Sequence, residues 1–242
     1  MEHLIKGATA QLQEIIRRNR SGDKVGAYAV CSAHPSVIAA AVQQAVADHS
    51  ILLVESTSSQ VNQSGGYTGQ NPFQFAEFVL NTAQRLGLPR DGVLLGGDHL
   101  GPYPWRNQAS ENAMRNASDL VRACVFAGYK KIHLDASMAC ADDDQNGPDA
   151  ETVAQRAAVL CGVAETTFAE LPPGSSPLVY VIGTEVPTPG GELNAETAFT
   201  ISSANEVQRT LELFRAAFAQ QNVSSAWDRV IGMVVQPGVE FG

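Results

Sequence analysis

The chain has 242 residues, with 16 Lys and Arg against 25 Asp and Glu, and a formal charge of −9. That balance argues against a generic nucleic-acid or anionic-membrane surface, both of which call for basic patches. Apolar residues make up 44% and charged residues only 17%, so a sizeable buried core is expected and disorder is not. No stretch has the ~18 or more apolar residues of a membrane span, and the first residues show no secretory signal. The four cysteines form no Cys-x-x-Cys pair, which predicts reduced thiols in a cytoplasmic protein.

In chain order, an opening helix over 4–19 leads to a β-branched strand over 25–31. Pro35 then opens a helix whose stripe is Val37, Ile38, Ala41, Val42, Ala45 and Val46. Strand 51–55 ends on Glu55 and runs into a polar segment containing Gln60, Asn62 and Gln63. Glycines 65, 66 and 69 follow, and Asn71-Pro72 caps the next helix. Backbone N–H groups before that helix can cradle a phosphate, although a merely flexible loop explains the composition equally well. Glu55 and Asn62 are candidate substrate-binding residues.

Strand 93–97 opens into Gly96-Gly97-Asp98-His99-Leu100-Gly101-Pro102, read as a Gly-rich turn carrying an acid beside an imidazole. Imidazole suits a divalent metal, and the carboxylate can move a proton on bound substrate. The competing reading has Asp98 capping a turn and His99 at the surface. After a helix over 110–127, strand 131–135 places His133 and Asp135 on one face. Asp135 and Ser137, nearer the strand end, can hydrogen-bond sugar hydroxyls. His133, one layer deeper, is expected to be an interior histidine rather than a ligand. The run Asp142-Asp143-Asp144-Gln145-Asn146-Gly147 imitates the start of a calcium loop, but position 12 is Val153 where a Glu is required. It predicts a solvated loop capping the helix near Pro148.

Strand 178–184 leads to Glu185, which alternation puts on the same side as Val179, Val181 and Gly183. There it can bind metal or act as an acid. A helix carrying Val207, Leu211, Phe214 and Phe218 precedes strand 230–236, which ends on Gln236, a further substrate-binding candidate.

Alternating strands and helices predict a parallel sheet. It can be an open doubly wound sheet or a closed (β/α)8 TIM barrel. Acids 55, 98, 135, 185 and 240 at several different strand ends favour the barrel, whose active face collects residues from many strands. An open sheet gathers them at one crossover. Six of the eight strands are visible, so residues 1–242 read as a single barrel domain incomplete at its C-terminus.

Walker, Rossmann and nucleophile-elbow motifs are missing, which excludes the common nucleotide-dependent and serine-hydrolase chemistries. The lysines are Lys6, Lys24, Lys130 and Lys131. The last two open their strand at the end opposite the mouth, leaving no well-placed amine for a Schiff base. Carbonyl chemistry on this scaffold therefore calls for a metal.

Several long blocks carry a family resemblance. They are Val30-Cys31-Ser32-Ala33-His34-Pro35, Gln60-Val61-Asn62-Gln63 with Gly65-Gly66-Tyr67-Thr68-Gly69, residues 96–102, Lys131-Ile132-His133-Leu134-Asp135, residues 180–187, and Val235-Gln236-Pro237-Gly238-Val239-Glu240-Phe241. The chain resembles the accessory, non-catalytic subunits of tagatose-bisphosphate aldolase in galactitol and N-acetylgalactosamine catabolism, a family also labelled tagatose 6-phosphate kinase. The missing phosphate loop speaks against the kinase label.

The resemblance implies a TIM barrel related to class II aldolases that supports the activity and stability of a separate catalytic aldolase subunit. It also implies that Asp98 is the proton-transfer acid, that His99 is a zinc (or manganese) ligand, and that Glu185 is a second catalytic and metal-binding carboxylate. The sixth strand end, from Gln236 to Glu240, lacks the later histidine ligands of class II aldolases. The alternative is a metal-dependent aldolase or 4-epimerase of a ketohexose phosphate in its own right.

Overall fold

The computed structural model describes residues 7–144, 147–183 and 202–235. Six strands alternate with helices: β1 (Ala29–Cys31), β2 (Leu52–Thr57), β3 (Val93–Leu100), β4 (Lys131–Leu134), β5 (Val179–Ile182) and β6 (Val230–Met233). The helices are α1 (Ala8–Arg20), α2 (Pro35–Ala47), α3 (Pro72–Arg85), α4 (Ser110–Phe126), α5 (Ala150–Ala169) and α6 (Ala204–Gln220). Every neighbouring strand pair is parallel, and the sheet order is the sequence order, β1 to β6. A doubly wound sheet would reverse direction at a switch point. Strictly sequential order is barrel topology, and the sheet is an open arc of six strands among the described residues.

Period-two alternation explains why the strands read as almost continuously apolar. On β2, Leu52 and Val54 join the outer core beneath the helices, whereas Leu53 joins an inner cluster with Leu94 of β3 and Val179 of β5. The helix α1 completes that inner cluster with Ala8 and Leu12, covering the end of the interior where the strands begin. Above this apolar floor the inward residues become polar, and the site is built from them.

The helix boundaries have local causes. Asn71 and Gln74 form a reciprocal capping box on α3, with Pro72 in the first turn, and Ser203 with Glu206 does the same on α6. The Asp149 side chain accepts the Thr152 N–H at 2.7 Å, so α5 begins at Ala150 and its cap is Asp149.

Two sequence expectations need correction here. The loop at Asp142–Asp144 is tied down as well as solvated. Asp143 takes a bidentate bond from Arg156 at 2.6 and 2.8 Å, and Asp142 accepts the Ser110 N–H at 2.6 Å. The segment 93–102 is also no turn at its centre, because β3 continues through Asp98 and His99 to Leu100. All four cysteines are free thiols, and no described helix is long and apolar enough to cross a membrane.

Candidate metal centre

Successive residues of a strand point to opposite faces, so Asp98 and His99 should not share one. A bulge resolves the conflict. Between Gly97↔Ile132 and Leu100↔Leu134, β3 spends one residue more than β4, and His99 takes up the surplus in the left-handed region at φ 47°. Two glycines make room. A Cβ on Gly97 would lie 2.4 Å from a Leu100 methyl, and one on Gly101 would lie 1.5 Å from the Asp135 carbonyl oxygen. The left-handed histidine costs roughly 1–2 kcal/mol. A charge-assisted bond is worth about 1.5–3 kcal/mol, so the 2.7 Å contact between His99 Nδ1 and Asp135 Oδ2 offsets that strain.

The bulge brings together Asp98, His99 and His133, whose potential ligand atoms all lie within 4.8 Å of one another. The two imidazole rings are 4.6 Å apart, and His99 Nε2 lies 3.8 Å from Asp98 Oδ2. Two ligand atoms on one tetrahedral ion stand about 3.4 Å apart, so this spacing fits a shared divalent cation.

His133, 2% exposed, is interior as the sequence predicts, but the expectation that it is no ligand is corrected, because it stands within the candidate ligand cluster. Its Nδ1 lies 3.0 Å from Asp98 Oδ1 and 3.2 Å from the His99 backbone N–H. One nitrogen cannot both donate to the carboxylate and accept from the amide. The charge-assisted bond is roughly twice as strong, which assigns the proton to Nδ1. His133 Nε2 is then a buried lone pair with no partner among the described residues. Such an orphan costs ~1–3 kcal/mol, and a cation would relieve it. The donor set therefore fits a divalent metal.

Electrostatics agree. Burial alone would raise the Asp98 carboxyl, but the bond to His133 and the nearby imidazoles outweigh it and hold Asp98 well below the usual range. Burial likewise opposes, and the bonds from His99 and Ser137 overcome, at Asp135, which is also lowered. Burial first, then the adjacent Asp98, pushes the Cys31 thiol up to about 12, so Cys31 faces this centre as a neutral thiol.

One layer deeper, Cys31, Glu55, Gly96, Lys131 and Val179 occupy one rung across five strands. Glu55 is buried and its carboxylate meets the Lys131 ammonium. This corrects the placement of Lys131 away from the other candidates. It does open β4, but the stagger of the sheet sets that start level with the fourth residue of β2. Burial raises the Glu55 carboxyl despite Lys131.

The remaining candidates divide plainly. Asp135 and Ser137 join the centre: Ser137 donates to Asp135 Oδ1 from its N–H at 3.0 Å and its hydroxyl at 2.6 Å. Asn62 is buried within its own loop, donating to the Ser58 carbonyl and accepting the Ser64 and Gly66 N–H groups. That loop is closely hydrogen-bonded, with the Thr68 hydroxyl donating to the Gln60 carbonyl at 2.7 Å. Glu185 and Gln236 lie outside the described residues. Sequence reasoning missed the Glu55–Lys131 pair. The alternation that joined His133 to Asp135 also includes Lys131, and would have found it.

The arc of β/α units with acids and imidazoles on the C-terminal ends of its strands defines a barrel-type α/β protein with a candidate metal centre. Within that class the chain belongs to the GatZ/KbaZ-like family, described as D-tagatose-1,6-bisphosphate aldolase subunit GatZ/KbaZ-like, which it matches over residues 12–242.

Proteins named D-tagatose-1,6-bisphosphate aldolase subunit GatZ from Salmonella dublin and Salmonella enteritidis PT4 are each 48% identical to it over 230 residues, 95% of this chain. The chain spans about half the length of these relatives, 54% of each. A crystal structure described as a probable tagatose 6 phosphate kinase from Sinorhizobium meliloti 1021 superimposes with a TM-score of 0.76 at 41% identity. That match covers 88% of this chain and 50% of the other.

Proposed function

We propose that the chain forms the barrel body of an accessory subunit that supports the activity and stability of a catalytic class II tagatose-1,6-bisphosphate aldolase. The observation that carries this reading is the family match across residues 12–242, together with relatives named as subunits of that aldolase. Mixing the purified full-length protein with the catalytic aldolase is expected to raise its turnover and its melting temperature. No complex on gel filtration and no rate change would overturn the reading.

A second reading, a metal-dependent aldolase or 4-epimerase of a ketohexose phosphate, is favoured by the Asp98, His99 and His133 cluster. His99 and His133 would hold the ion, zinc or manganese, with Glu185 as a further carboxylate and Asp98 beside it. A bound divalent ion supplies Lewis-acid polarisation of a substrate carbonyl. The ionised Asp98 would take a proton from a substrate hydroxyl at Oδ2, since Oδ1 is engaged by His133.

Elemental analysis is expected to give about one zinc or manganese per chain, lost in His99→Ala. Metal-free protein without activity on ketose phosphates would sink this second reading while leaving the first intact. A cytoplasmic location fits both, since free thiols and soluble sugar phosphates belong there.

A further inference from the structure

We infer that Asp135 is a positioning residue that fixes the His99 imidazole in its Nδ1–H tautomer, with Nε2 turned toward Asp98, and that Ser137 holds Asp135 for that task. The inference rests on the metal-centre reading. An ionised carboxylate only accepts hydrogen bonds, and Asp135 Oδ2 lies 2.7 Å from His99 Nδ1. The proton must therefore sit on Nδ1, which leaves the Nε2 lone pair as the metal-binding atom, 3.8 Å from Asp98 Oδ2.

The carboxylate has little freedom to do anything else. It is 8% exposed, and its other oxygen accepts both the N–H and the hydroxyl of Ser137. Its backbone is pinned as well. The Asp135 N–H donates to the Leu100 carbonyl at 3.1 Å, and its own carbonyl occupies the space where a Gly101 side chain would stand. A side chain clamped at both oxygens and through the backbone is built to orient a neighbour, more than to meet a sugar hydroxyl. Carboxylates that hold a ligating histidine in this way recur in metal sites, and their loss costs about 10–100-fold in metal affinity.

The substitution Asp135→Asn separates the possibilities, because its amide can donate to Nδ1 and favour the opposite tautomer. The tautomer of His99 is read by nitrogen-15 NMR on metal-free full-length protein, and zinc affinity by competition with a chromophoric chelator. Wild type is expected to show Nδ1–H. Asp135→Asn is expected to shift His99 toward Nε2–H and to lose about 10–100-fold in zinc affinity. Ser137→Ala should keep the tautomer and lose about tenfold, the lower edge of that range.

Nε2–H in the wild type overturns the inference, as does an Asp135→Asn protein unchanged in both readouts. If that variant fails to fold, the wild-type tautomer and the Ser137→Ala affinity still decide. If wild type shows Nδ1–H and the variant switches it, yet neither binds zinc, the metal-centre reading falls while the positioning role stands. If wild type binds zinc and the variant binds equally well, the positioning role falls alone.

Discussion

Glu55 on β2 reaches across Gly96 on β3 to meet Lys131 on β4. The crossing is possible because Gly96 has no side chain: a Cβ there would lie 2.6 Å from Glu55 Oε1. Both charges are nearly enclosed, at 5% and 12% side-chain exposure. Removing one partner of such a pair costs about 3–5 kcal/mol, whereas replacing both by apolar residues is often neutral. Glu55→Leu and Lys131→Met are each expected to lower unfolding free energy by that amount in urea titrations, and the double variant to recover most of it. Gly96→Ala should resemble the single variants. Additive losses would show that the two charges do not interact.

The β3 bulge depends on Gly101 for a reason other than backbone freedom, since its φ is ordinary and the obstacle is the Asp135 carbonyl. Gly101→Ala is expected to cost about 3 kcal/mol or more by prising β3 from β4, and to abolish zinc binding. Gly128 is the control. It lies at φ 94° with nothing within 4 Å of an added Cβ, so Gly128→Ala should cost about 1–2 kcal/mol and leave zinc binding alone.

Acid should undo the tether between Asp143 and Arg156. The Arg156 hydrogen bonds hold the Asp143 carboxyl below its ordinary range, against a smaller opposing effect of burial. A folded-state pKa below the unfolded value of ~3.9 gives stability that is present above that value and lost as pH falls through the folded one. Asp143→Asn should therefore be less stable than wild type by about 2 kcal/mol at pH 7, and the gap should shrink below about pH 4. Chemical denaturation at pH 7 and pH 3 checks this, and an equal gap at both would contradict it.

The cover at the strand N-termini makes α1 part of the core. Leu12 is buried against Leu53, Leu94 and Val179, so Leu12→Ala is expected to cost about 3 kcal/mol. Val37, exposed on α2, should tolerate alanine within about 0.5 kcal/mol. Comparable losses at both positions would remove α1 from the core.

The sequence by itself determined the β/α alternation, the six strands, the cap at Asn71, and the polar residues Glu55, Asp98 and Asp135 in or just after the C-terminal halves of their strands. These are legible because periodicity and capping are local, and because a strand covered on both faces has to be apolar along its length. Asp98 and His99 were legible as a chemical pair, though not as inward-facing neighbours.

Tertiary structure alone decided the rest. The bulge that turns His99 inward is a mismatch in count between β3 and β4, visible only when the two strands are paired. The contacts of Glu55 with Lys131 and of Asp98 with His133 depend on stagger across the sheet, a quantity that residue spacing within one strand does not contain. In sequence Asn62 looked like a ligand of something outside the chain, and Asp142 like part of a solvated loop. Folding gave them backbone N–H groups to bind, since an amide left unpaired in a packed loop costs more than a polar side chain turned inward to meet it.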